Sequence, residues 1–374
     1  MTLVKLYTQP EVGQRWLQDQ CGKRPHFACI LGFTATGLIP GISAAGATPA
    51  DRRTTAIADA EFLYAGPTAQ PQYPLPPLQQ GASPVLITQA IIESLTIPVT
   101  IFNAGLPTPP PIPTVDLQGQ AAACVSTGRA LPLNVVYHLF AEGLAWGKKL
   151  SADPTTDYLV IGECVVGGTT TALGILLGLG IDAQGCVNSS HSQCNHRQKQ
   201  AIVEQGLAQI ALSNPAEPMV IVAAVGDPMQ IVAAGMTLSA SRYQGVILAG
   251  GTQMLAVYAL AQALAQAEQI AWQPEQVVVG TTGWVMSDPT GKTVELAERI
   301  GSVPLMAAQL DFGPSHFGAL RAYEQGYVKE GVGAGGIAIA AHLYQGWGQE
   351  KVLEQVEAIA VRMAEARGEG KEMH

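Results

Sequence analysis

The sequence predicts a doubly wound α/β fold, in which a mainly parallel sheet carries helices on both faces. Three observations support this. In the second half of the chain, short β-branched apolar runs alternate with longer helical patterns. Each run is continuously apolar over about five to eight residues, as in strands buried on both faces. Nearly every run ends in glycine or a small polar residue, so we expect the chemistry at the carboxyl edge of the sheet.

The predicted strands of the second half each precede a helix. "YLVIGECVV" precedes "TTALGILLGLG", "MVIVAAV" precedes "PMQIVAAGMTLSASR", and "GVILAGG" precedes "QMLAVYALAQALAQA". "QVVVGTT" and "PLMAAQLDF" lead in the same way to "KTVELAERIG" and "SHFGALRAYEQGY". Repeated strand-helix units of this kind predict a parallel sheet.

The first half is less regular. "HFACILGFTATG" predicts a buried strand with a glycine turn, and "SPVLITQAIIESL" and "PLNVVYHLFAEGLAWGKKL" predict helices. The proline-rich stretch 106–115 predicts an extended surface connection. We expect an α/β domain over 25–345, with 1–24 and 346–374 packing as a small helical subdomain. Disorder is expected only at the end, "EARGEGKEMH".

Composition excludes several classes of function. The chain has 374 residues, of which 48% are apolar and 13% charged, so it can bury a large core. A net charge of -9 without a Lys/Arg cluster argues against a nucleic-acid partner. The uncharged run from Cys164 to Ile181 is long enough to be considered as a membrane span. Its glycines and threonines, without flanking aromatic or basic anchors, favour a strand, a turn and a helix of a soluble protein.

The distribution of the cysteines indicates the cellular compartment in which the protein acts. Six cysteines are scattered along the chain, and no long apolar export segment precedes them. Reduced thiols and a cytoplasmic location are therefore expected.

The first candidate site is the turn after "YLVIGE". Glu163 ends an apolar run, and Gly167, Gly168, Thr169 and Thr170 then open a helix. Glycines allow a ligand close to the backbone, and a helix N-terminus presents unpaired N–H groups to an anion. No Gly-Lys-Ser/Thr follows, so this is not a Walker loop. A plain strand-to-helix turn with a threonine cap is the alternative.

A second carboxylate has the same setting. Glu330 precedes Gly331, Gly333, Gly335 and Gly336, and an apolar helix follows. Carboxylates beside apolar glycine loops are those whose pKa can rise towards neutrality, as a general base requires. The alternative is an exposed glutamate at a loop edge.

A polar segment, "GCVNSSHSQCNHRQK", gathers Cys186, His191, Cys194 and His196. Their spacing matches no common zinc pattern, so no metal site is predicted, although metal binding stays an alternative. We expect this segment to cross the ligand site, with Lys199 directed at a phosphate. A solvated surface lysine is the other interpretation.

Three further turns are candidates for ligand contact. They are Gly226 with Asp227, Gly250 with Gly251, and the small-residue segment that contains Ser43. Asp227 could bind a hydroxyl, although capping the next helix is more ordinary. Ser43 could hydrogen-bond a ring nitrogen, and a structural turn is the alternative.

Several of these motifs together resemble a known family. "GECVVGGTTTALG" is similar to the Gly-Glu-x-x-x-Gly-Asn-Thr-Thr signature of nicotinate-nucleotide:dimethylbenzimidazole phosphoribosyltransferases, and "VKEGVGAGG" to their late Gly-Glu-Gly-x-Gly-Ala loop. "VGDPMQIVAAG" and "GISAAGATP" resemble two more of the family's stretches. The matches occur in family order from about residue 30 to 345.

The resemblance implies an activity. Such an enzyme transfers the phosphoribosyl group of nicotinate mononucleotide to an azole base, giving the lower-ligand α-ribotide of cobalamin-type cofactors. It places the general base at Glu330 and the ribose near Glu163, requires no metal or cofactor, and suggests a homodimer.

This chain departs from the family pattern at three places. The family's Asn is Gly168 here, its Asp-Gly-Phe stretch is Ala249-Gly250-Gly251, and its early Asp-His pair is replaced near Thr34-Ala35-Thr36. The chain therefore resembles a divergent branch. A non-catalytic nucleotide-binding relative and an N-glycosidic-bond hydrolase remain alternatives, and the acceptor base is open.

Overall fold

A computed structural model of the chain describes residues 3–76, 78, 80–210, 217–301 and 303–368. One sheet runs through it, with the strand order β1-β8-β7-β6-β5-β2-β3-β4. The strands are β1 (Val4–Leu6), β2 (Pro25–Leu31), β3 (Val99–Asn103), β4 (Val115–Asp116), β5 (Tyr158–Cys164), β6 (Gly245–Ala249), β7 (Val277–Thr282) and β8 (Leu305–Ala308). All neighbouring pairs are parallel except β1 with β8.

Helices cover both faces of the sheet. In chain order they are α1 (Pro10–Gln20), α2 (Asp51–Ala65), α3 (Val85–Leu95), α4 (Leu133–Leu150), α5 (Gly168–Gly178), α6 (His196–Leu207), α7 (Pro218–Val225), α8 (Pro228–Ala240), α9 (Thr252–Ala267), α10 (Gly283–Met286), α11 (Thr293–Ile300), α12 (Gly318–Arg321), α13 (Ala334–Gln345) and α14 (Gln349–Ala366). The predicted doubly wound α/β fold is confirmed.

The strand order reverses between β2 and β5. From β5 the chain adds β6, β7 and β8 to one side, and from β2 it adds β3 and β4 to the other. Ligands of open α/β sheets bind outside the carboxyl ends of the strands at such a switch point. Glu163 is the penultimate residue of β5 and therefore lies at this point.

Alternation along the central strands divides the core between two faces. On β5, Leu159 and Ile161 belong to one apolar cluster, with residues of α4 to α9 and α11. Tyr158 and Val160 belong to the other, with residues of α1, α2, α3, α13 and α14. Successive side chains of a strand point to opposite faces, so an uninterrupted apolar run fits a strand with helices on both sides.

One predicted strand is wrong. "MVIVAAV" forms α7, with Pro218 in its first turn, and is not a strand. A short, wholly apolar run fits a buried strand and a buried helix equally well, because periodicity does not separate them. Proline in the first helical turn was the local sign, since it lacks the N–H that a helix start leaves unpaired.

The first-half elements are found where the sequence placed them. β2, α3 and α4 occupy the predicted segments. Stretch 106–115 has no helix and one strand residue, and most of it is exposed or half-buried. Within 1–24, β1 joins the main sheet as an antiparallel edge strand. The separate helical subdomain of 1–24 and 346–374 stays a prediction.

The ends of the chain are only partly described. Of the final stretch expected to be disordered, helix α14 includes 365–366, and 369–374 lie outside the described residues. No helix in the described ranges combines the length and apolar character needed to cross a membrane.

A close helix-to-strand contact sets the position of α13. A Cβ on Gly335 would lie 2.1 Å from the carbonyl carbon of Thr281 and 2.5 Å from the nitrogen of Thr282, both backbone atoms of β7. We therefore expect Gly335→Ala to lower the free energy of unfolding by about 2–3 kcal/mol, as overpacking does. Gly348→Ala is the control, since nothing lies within 4 Å of that position. Equal urea midpoints for the two variants would contradict this contact.

Candidate active site

A cavity of about 370 Å³ opens at the carboxyl edge of the sheet. Its lining comes from the end of β5 and the turn after it, from the segments that follow β6 and β7, and from the loops 43–45, 188–192 and 327–332. Helix α2 and the segment before α3 also contribute, through Thr55, Asp59, Pro76, Leu78, Gln80, Ser83 and Pro84. Eight of the predicted site residues line this cavity, namely Ser43, Glu163, Gly167, Gly168, Thr169, Gly251, Glu330 and Gly331. Residues separated by up to 288 positions in the chain, Ser43 and Gly331, thus meet at one site.

Glu163 is a buried carboxylate at the end of β5, just before the turn into α5. Its side chain is 6% exposed, and Oε2 accepts the backbone N–H of Val165 at 2.9 Å. Burial, together with the negative charges of Asp227 and Glu330, raises the pKa of Glu163 to about 8. A neighbouring positive charge would therefore stabilise the ionised form of Glu163.

Glu330 lies in the loop that precedes α13. Oε1 accepts the backbone N–H groups of Gly331 and Gly335, each at 3.1 Å, and Oε2 accepts the Thr281 hydroxyl at 3.1 Å. Burial raises the pKa of Glu330 to about 7, and these hydrogen bonds oppose the rise. The side chain is half-buried, not exposed at a loop edge. A carboxylate with a pKa near neutrality has the basicity that general-base catalysis needs.

Several helices begin at this edge of the sheet, and three of them concern the cavity. They are α5 from Gly168, α9 from Thr252 and α13 from Ala334. Gly168, Gly251 and Thr252 line the cavity, so the first turns of α5 and α9 border it. Unpaired N–H groups and the helix dipole at such ends attract anions, phosphate in particular.

A neighbouring side chain explains why residue 168 is glycine. A Cβ there would lie 2.1 Å from Nε2 of Gln253, whose carboxamide comes from the first turn of α9. The family signature has asparagine at this position, and here the glutamine carboxamide occupies the space beside it. The departure from the signature thus leaves an amide group at the same part of the cavity.

Ser43 lies on a loop that a buried arginine holds in place. Arg52 donates four hydrogen bonds to backbone carbonyls, those of Gly37, Ile39, Ser43 and Gly46. The Ser43 hydroxyl accepts the N–H of Ala45 and lies 3.3 Å from the Ser190 hydroxyl. Ser43 lines the cavity. Its hydroxyl also accepts a hydrogen bond within the loop, as expected for the structural turn that was the alternative interpretation.

Five predicted residues lie around the cavity without lining it. Asp227 caps α8 in a reciprocal arrangement with Gln230 and accepts the Thr171 hydroxyl. Gly226 ends α7 and Gly333 precedes α13. Thr170 is buried in α5, and Gly250 follows β6. For Asp227, helix capping is therefore the role that the geometry gives.

Lys199 is not brought to the cavity. Its side chain is fully buried, and Nζ donates to the carbonyls of Val187 and Asn188, both at 2.7 Å. Burial lowers the pKa of Lys199 to about 8. Lys199 is therefore not a surface lysine, and its side chain does not line the cavity. A phosphate contact stays a prediction that would require these two hydrogen bonds to break.

The Cys/His segment folds over one side of the cavity. His191 lies 3.1 Å from the Gly41 carbonyl and His196 2.6 Å from that of Thr290. Cys194 contacts Asp288, and Cys186 contacts the Gln184 carbonyl. Among the described residues, no group of three or more His, Cys, Asp or Glu side chains is arranged to hold a metal ion.

Two charged residues of the cavity were missed from the sequence. Asp59 on α2 accepts the Ser83 hydroxyl at 2.8 Å and the Cys164 thiol at 3.2 Å, and burial raises its pKa to about 6. Lys329 forms a buried ion pair with Asp288 at 2.6 Å. The local sign for Asp59 was a carboxylate with alanine on either side. Lys329 directly precedes Glu330.

The raised pKa values make stability fall as pH rises. Glu163 and Glu330 have folded-state pKa values of about 8 and about 7, above their usual 4.5. Their contribution to the free energy of unfolding is complete below the usual value and is lost as pH rises through the folded values. We therefore expect these two groups to lower the Tm as pH rises from about 4.5 to about 8, and the fall to be smaller in Glu163→Gln. The same dependence of Tm on pH in the wild type and in Glu163→Gln would contradict this expectation.

Comparison with known proteins identifies the class. Residues 88–275, about half of the chain, match the family described as "Phosphoribosyltransferase". The chain therefore belongs to this phosphoribosyltransferase family, which confirms the resemblance that its motifs carry.

Particular relatives match the chain at nearly full length. It is 62% identical to a UPF0284 protein of Cyanothece sp., over 97% of this chain and 98% of the relative. It is 60% identical to a UPF0284 protein of Trichodesmium erythraeum, over 95% and 97%.

Solved structures share the fold. The crystal structure of CobT from Thermus thermophilus aligns with a TM-score of 0.60 at 16% identity, covering 94% of this chain and 89% of that one. A nicotinate-nucleotide-dimethylbenzimidazole phosphoribosyltransferase structure from the same organism aligns with a TM-score of 0.58, also at 16% identity, covering 97% and 94%.

Proposed function

We propose that this protein transfers the phosphoribosyl group of nicotinate mononucleotide to an azole base such as dimethylbenzimidazole. The products are an α-ribotide and nicotinate, and the step belongs to synthesis of the nucleotide loop of cobamides. The observation that carries the proposal is the pair of carboxylates, Glu163 and Glu330, in one cavity at the switch point of the sheet. Membership of the phosphoribosyltransferase family supports the same class of reaction.

Glu330 is the general base in this proposal. Its carboxylate takes the N–H proton of the azole as the azole nitrogen forms a bond to C1′ of the ribose. The bond between C1′ and the pyridinium nitrogen breaks, and its electron pair neutralises the ring, so nicotinate leaves without protonation. Hydrogen bonds from Gly331, Gly335 and Thr281 fix the direction of the carboxylate.

Glu163 lies near the ribose in this proposal. Positive charge develops at C1′ and the ring oxygen as the old bond breaks, and a buried carboxylate stabilises that charge strongly. The pyridinium charge of the bound nucleotide also favours the ionised form of Glu163, whose pKa in the free protein is about 8.

The ribose 5′-phosphate is bound by backbone groups. Gly167, Gly168 and Thr169 begin α5, and Gly251 precedes α9, so N–H groups of both helices are available to it. Asp227 accepts the hydroxyl of Thr171 on α5, and Gly250 directly precedes Gly251, so both lie beside these turns. Substrate contacts by Gly226, Asp227, Gly250, Gly333 and Thr170 remain part of the proposal. The loop of Ser43 borders the base. We further propose that the protein acts in the cytoplasm as a homodimer on these small-molecule substrates.

The experiment follows free nicotinate chromatographically after mixing the protein with nicotinate mononucleotide. Parallel reactions contain no base, dimethylbenzimidazole, or adenine. We expect nicotinate only when a base is present, together with the matching ribotide, which also identifies the acceptor. Release without base would instead establish N-glycosidic hydrolysis. Nucleotide binding without release under any condition would establish a non-catalytic protein.

A further inference from the structure

The loop that carries Glu330 has unusual backbone geometry. Val328, Lys329 and Val332 have φ values of 67°, 66° and 50°, although none is glycine. The N–H of Lys329 donates to the carbonyl of Tyr327, and the N–H of Glu330 to that of Val328. These are successive three-residue turns centred on residues with positive φ, a conformation that is rare and strained. Such strain persists only where surrounding contacts hold it.

A buried ion pair supplies such contacts. Lys329 Nζ lies 2.6 Å from Asp288 Oδ2, with the two side chains 2% and 1% exposed. Nζ also donates to the His191 carbonyl at 2.9 Å, and the Lys329 carbonyl accepts the Thr282 hydroxyl at 2.6 Å. The residue before Glu330 is thus fixed at its side chain and at its backbone.

Asp288 is itself held from several directions. It accepts hydrogen bonds from the Asn188 carboxamide at 3.0 Å and from the N–H and hydroxyl of Thr290 at 2.9 and 2.7 Å. Although burial by itself would raise the pKa of Asp288, the hydrogen bonds from Lys329, Thr290 and Asn188 hold it well below its usual value. The pair therefore joins three loops, 188–192, 288–291 and 328–333, beside the cavity.

The presence of lysine at position 329 needs an explanation. The family loop that this segment resembles has glycine before its glutamate, and glycine adopts positive φ without steric cost. Here a lysine adopts that conformation, so its side chain must contribute something that glycine lacks. Its ammonium is the group that bridges Asp288 and His191.

We propose that the Asp288–Lys329 ion pair is a positioning device that holds the 328–333 loop in its strained form and thereby directs the Glu330 carboxylate at the acceptor base. This inference rests on the proposed function for its catalytic consequence. Lys329 acts through Glu330 and does not itself touch the substrate. A small displacement of a catalytic group lowers the rate of the chemical step while leaving substrate binding largely intact.

The test compares two double variants, both lacking the buried charges. Lys329→Met/Asp288→Asn keeps a side chain that disfavours positive φ, whereas Lys329→Gly/Asp288→Asn lets the backbone adopt it freely. Removing both partners avoids leaving one buried charge unpaired. Lys292→Met is the control, because Lys292 pairs with Glu295 at 3.1 Å on the exposed surface.

The expected results separate positioning from substrate contact. The methionine double variant should lose about 10²-fold in kcat, with little change in the nucleotide KM. The glycine double variant should recover most of the wild-type kcat, and Lys292→Met should match the wild type. Wild-type kcat in the methionine variant would overturn the proposal. Equal losses in both double variants, with a raised nucleotide KM, would show instead that the lysine charge contacts the substrate.

A measurement on the free protein keeps the test independent of the reaction. Hydrogen exchange of the segment 328–336 reports the N–H groups of Gly331 and Gly335 that bond to Glu330. We expect faster exchange there in the methionine double variant, with unchanged exchange in β6 and β7. Unchanged exchange in 328–336 would overturn the positioning role. If the wild type turns over no base, the proposed function fails, and this measurement still decides whether the pair holds the loop.

Discussion

Glu330→Gln should lower kcat by about 10³-fold, within the range that a general base contributes. The carboxamide has nearly the same shape and can still accept hydrogen bonds from Gly331 and Gly335, which now hold Oε1. It cannot take a proton from the azole. Nucleotide binding should therefore stay within a few-fold of the wild type, measured by calorimetry, while nicotinate release in the presence of base is followed by chromatography.

The pH dependence provides a second measurement of the same role. Because Glu163 and Glu330 must both be ionised, kcat/KM of the wild type should rise with pH up to about 8, and the limb near pH 7 reports Glu330. Glu330→Gln should lose this limb. Glu357→Gln is a matched control, since Glu357 also accepts a hydroxyl and a backbone N–H, from Ser315 and His316, on the distant helix α14. Wild-type turnover by Glu330→Gln would remove this residue as the base.

Glu163→Gln should lower kcat/KM by about 10²-fold, comparable with the loss of one preorganised electrostatic contact. The variant keeps a similar side-chain volume beside Val165 but has no negative charge to stabilise the oxocarbenium-like centre. The limb of the pH profile that reports Glu330 should remain. This separates the two carboxylates, because only Glu330→Gln is expected to remove it.

The control for Glu163 is Glu61→Gln. Glu61 likewise accepts backbone N–H groups, those of Gln72 and Tyr73, but does not line the cavity. It should retain wild-type kcat/KM. If Glu163→Gln is as active as Glu61→Gln, charge at position 163 has no part in the reaction, and the carboxylate serves only the turn after β5.

Most of the predicted residues that line the cavity lie close to a strand end or a helix start. Glu163 with Gly167 to Thr169, and Glu330 with Gly331, each lie within a few residues of a strand end or a helix start, so local patterns were sufficient to place them. Asp59 and Asp288 reach or support the cavity through contacts across the fold, with Cys164 and Lys329 respectively. No local pattern reports such partners.

Lys199 lies in surroundings that its sequence context did not indicate. A lysine on a polar segment is ordinarily solvated or directed at an anion, and both interpretations assume that the ammonium is free. The turn at 187–188 instead wraps back over α6 and presents two carbonyls to Nζ at 2.7 Å. The strand predicted at 219–225 failed for a related reason, because burial on all sides erases the periodicity that distinguishes a helix from a strand.

The sequence by itself determined the doubly wound class, most elements and two carboxylates that line the cavity, Glu163 and Glu330. These follow from local apolar runs, glycine turns and helix starts, which depend on near neighbours in the chain. Only the tertiary structure decided which charged groups are buried and paired: Asp59 beside Cys164, Lys199 on backbone carbonyls, and Lys329 with Asp288. The energy of a charge depends on its surroundings in three dimensions, and packing of distant segments creates those surroundings.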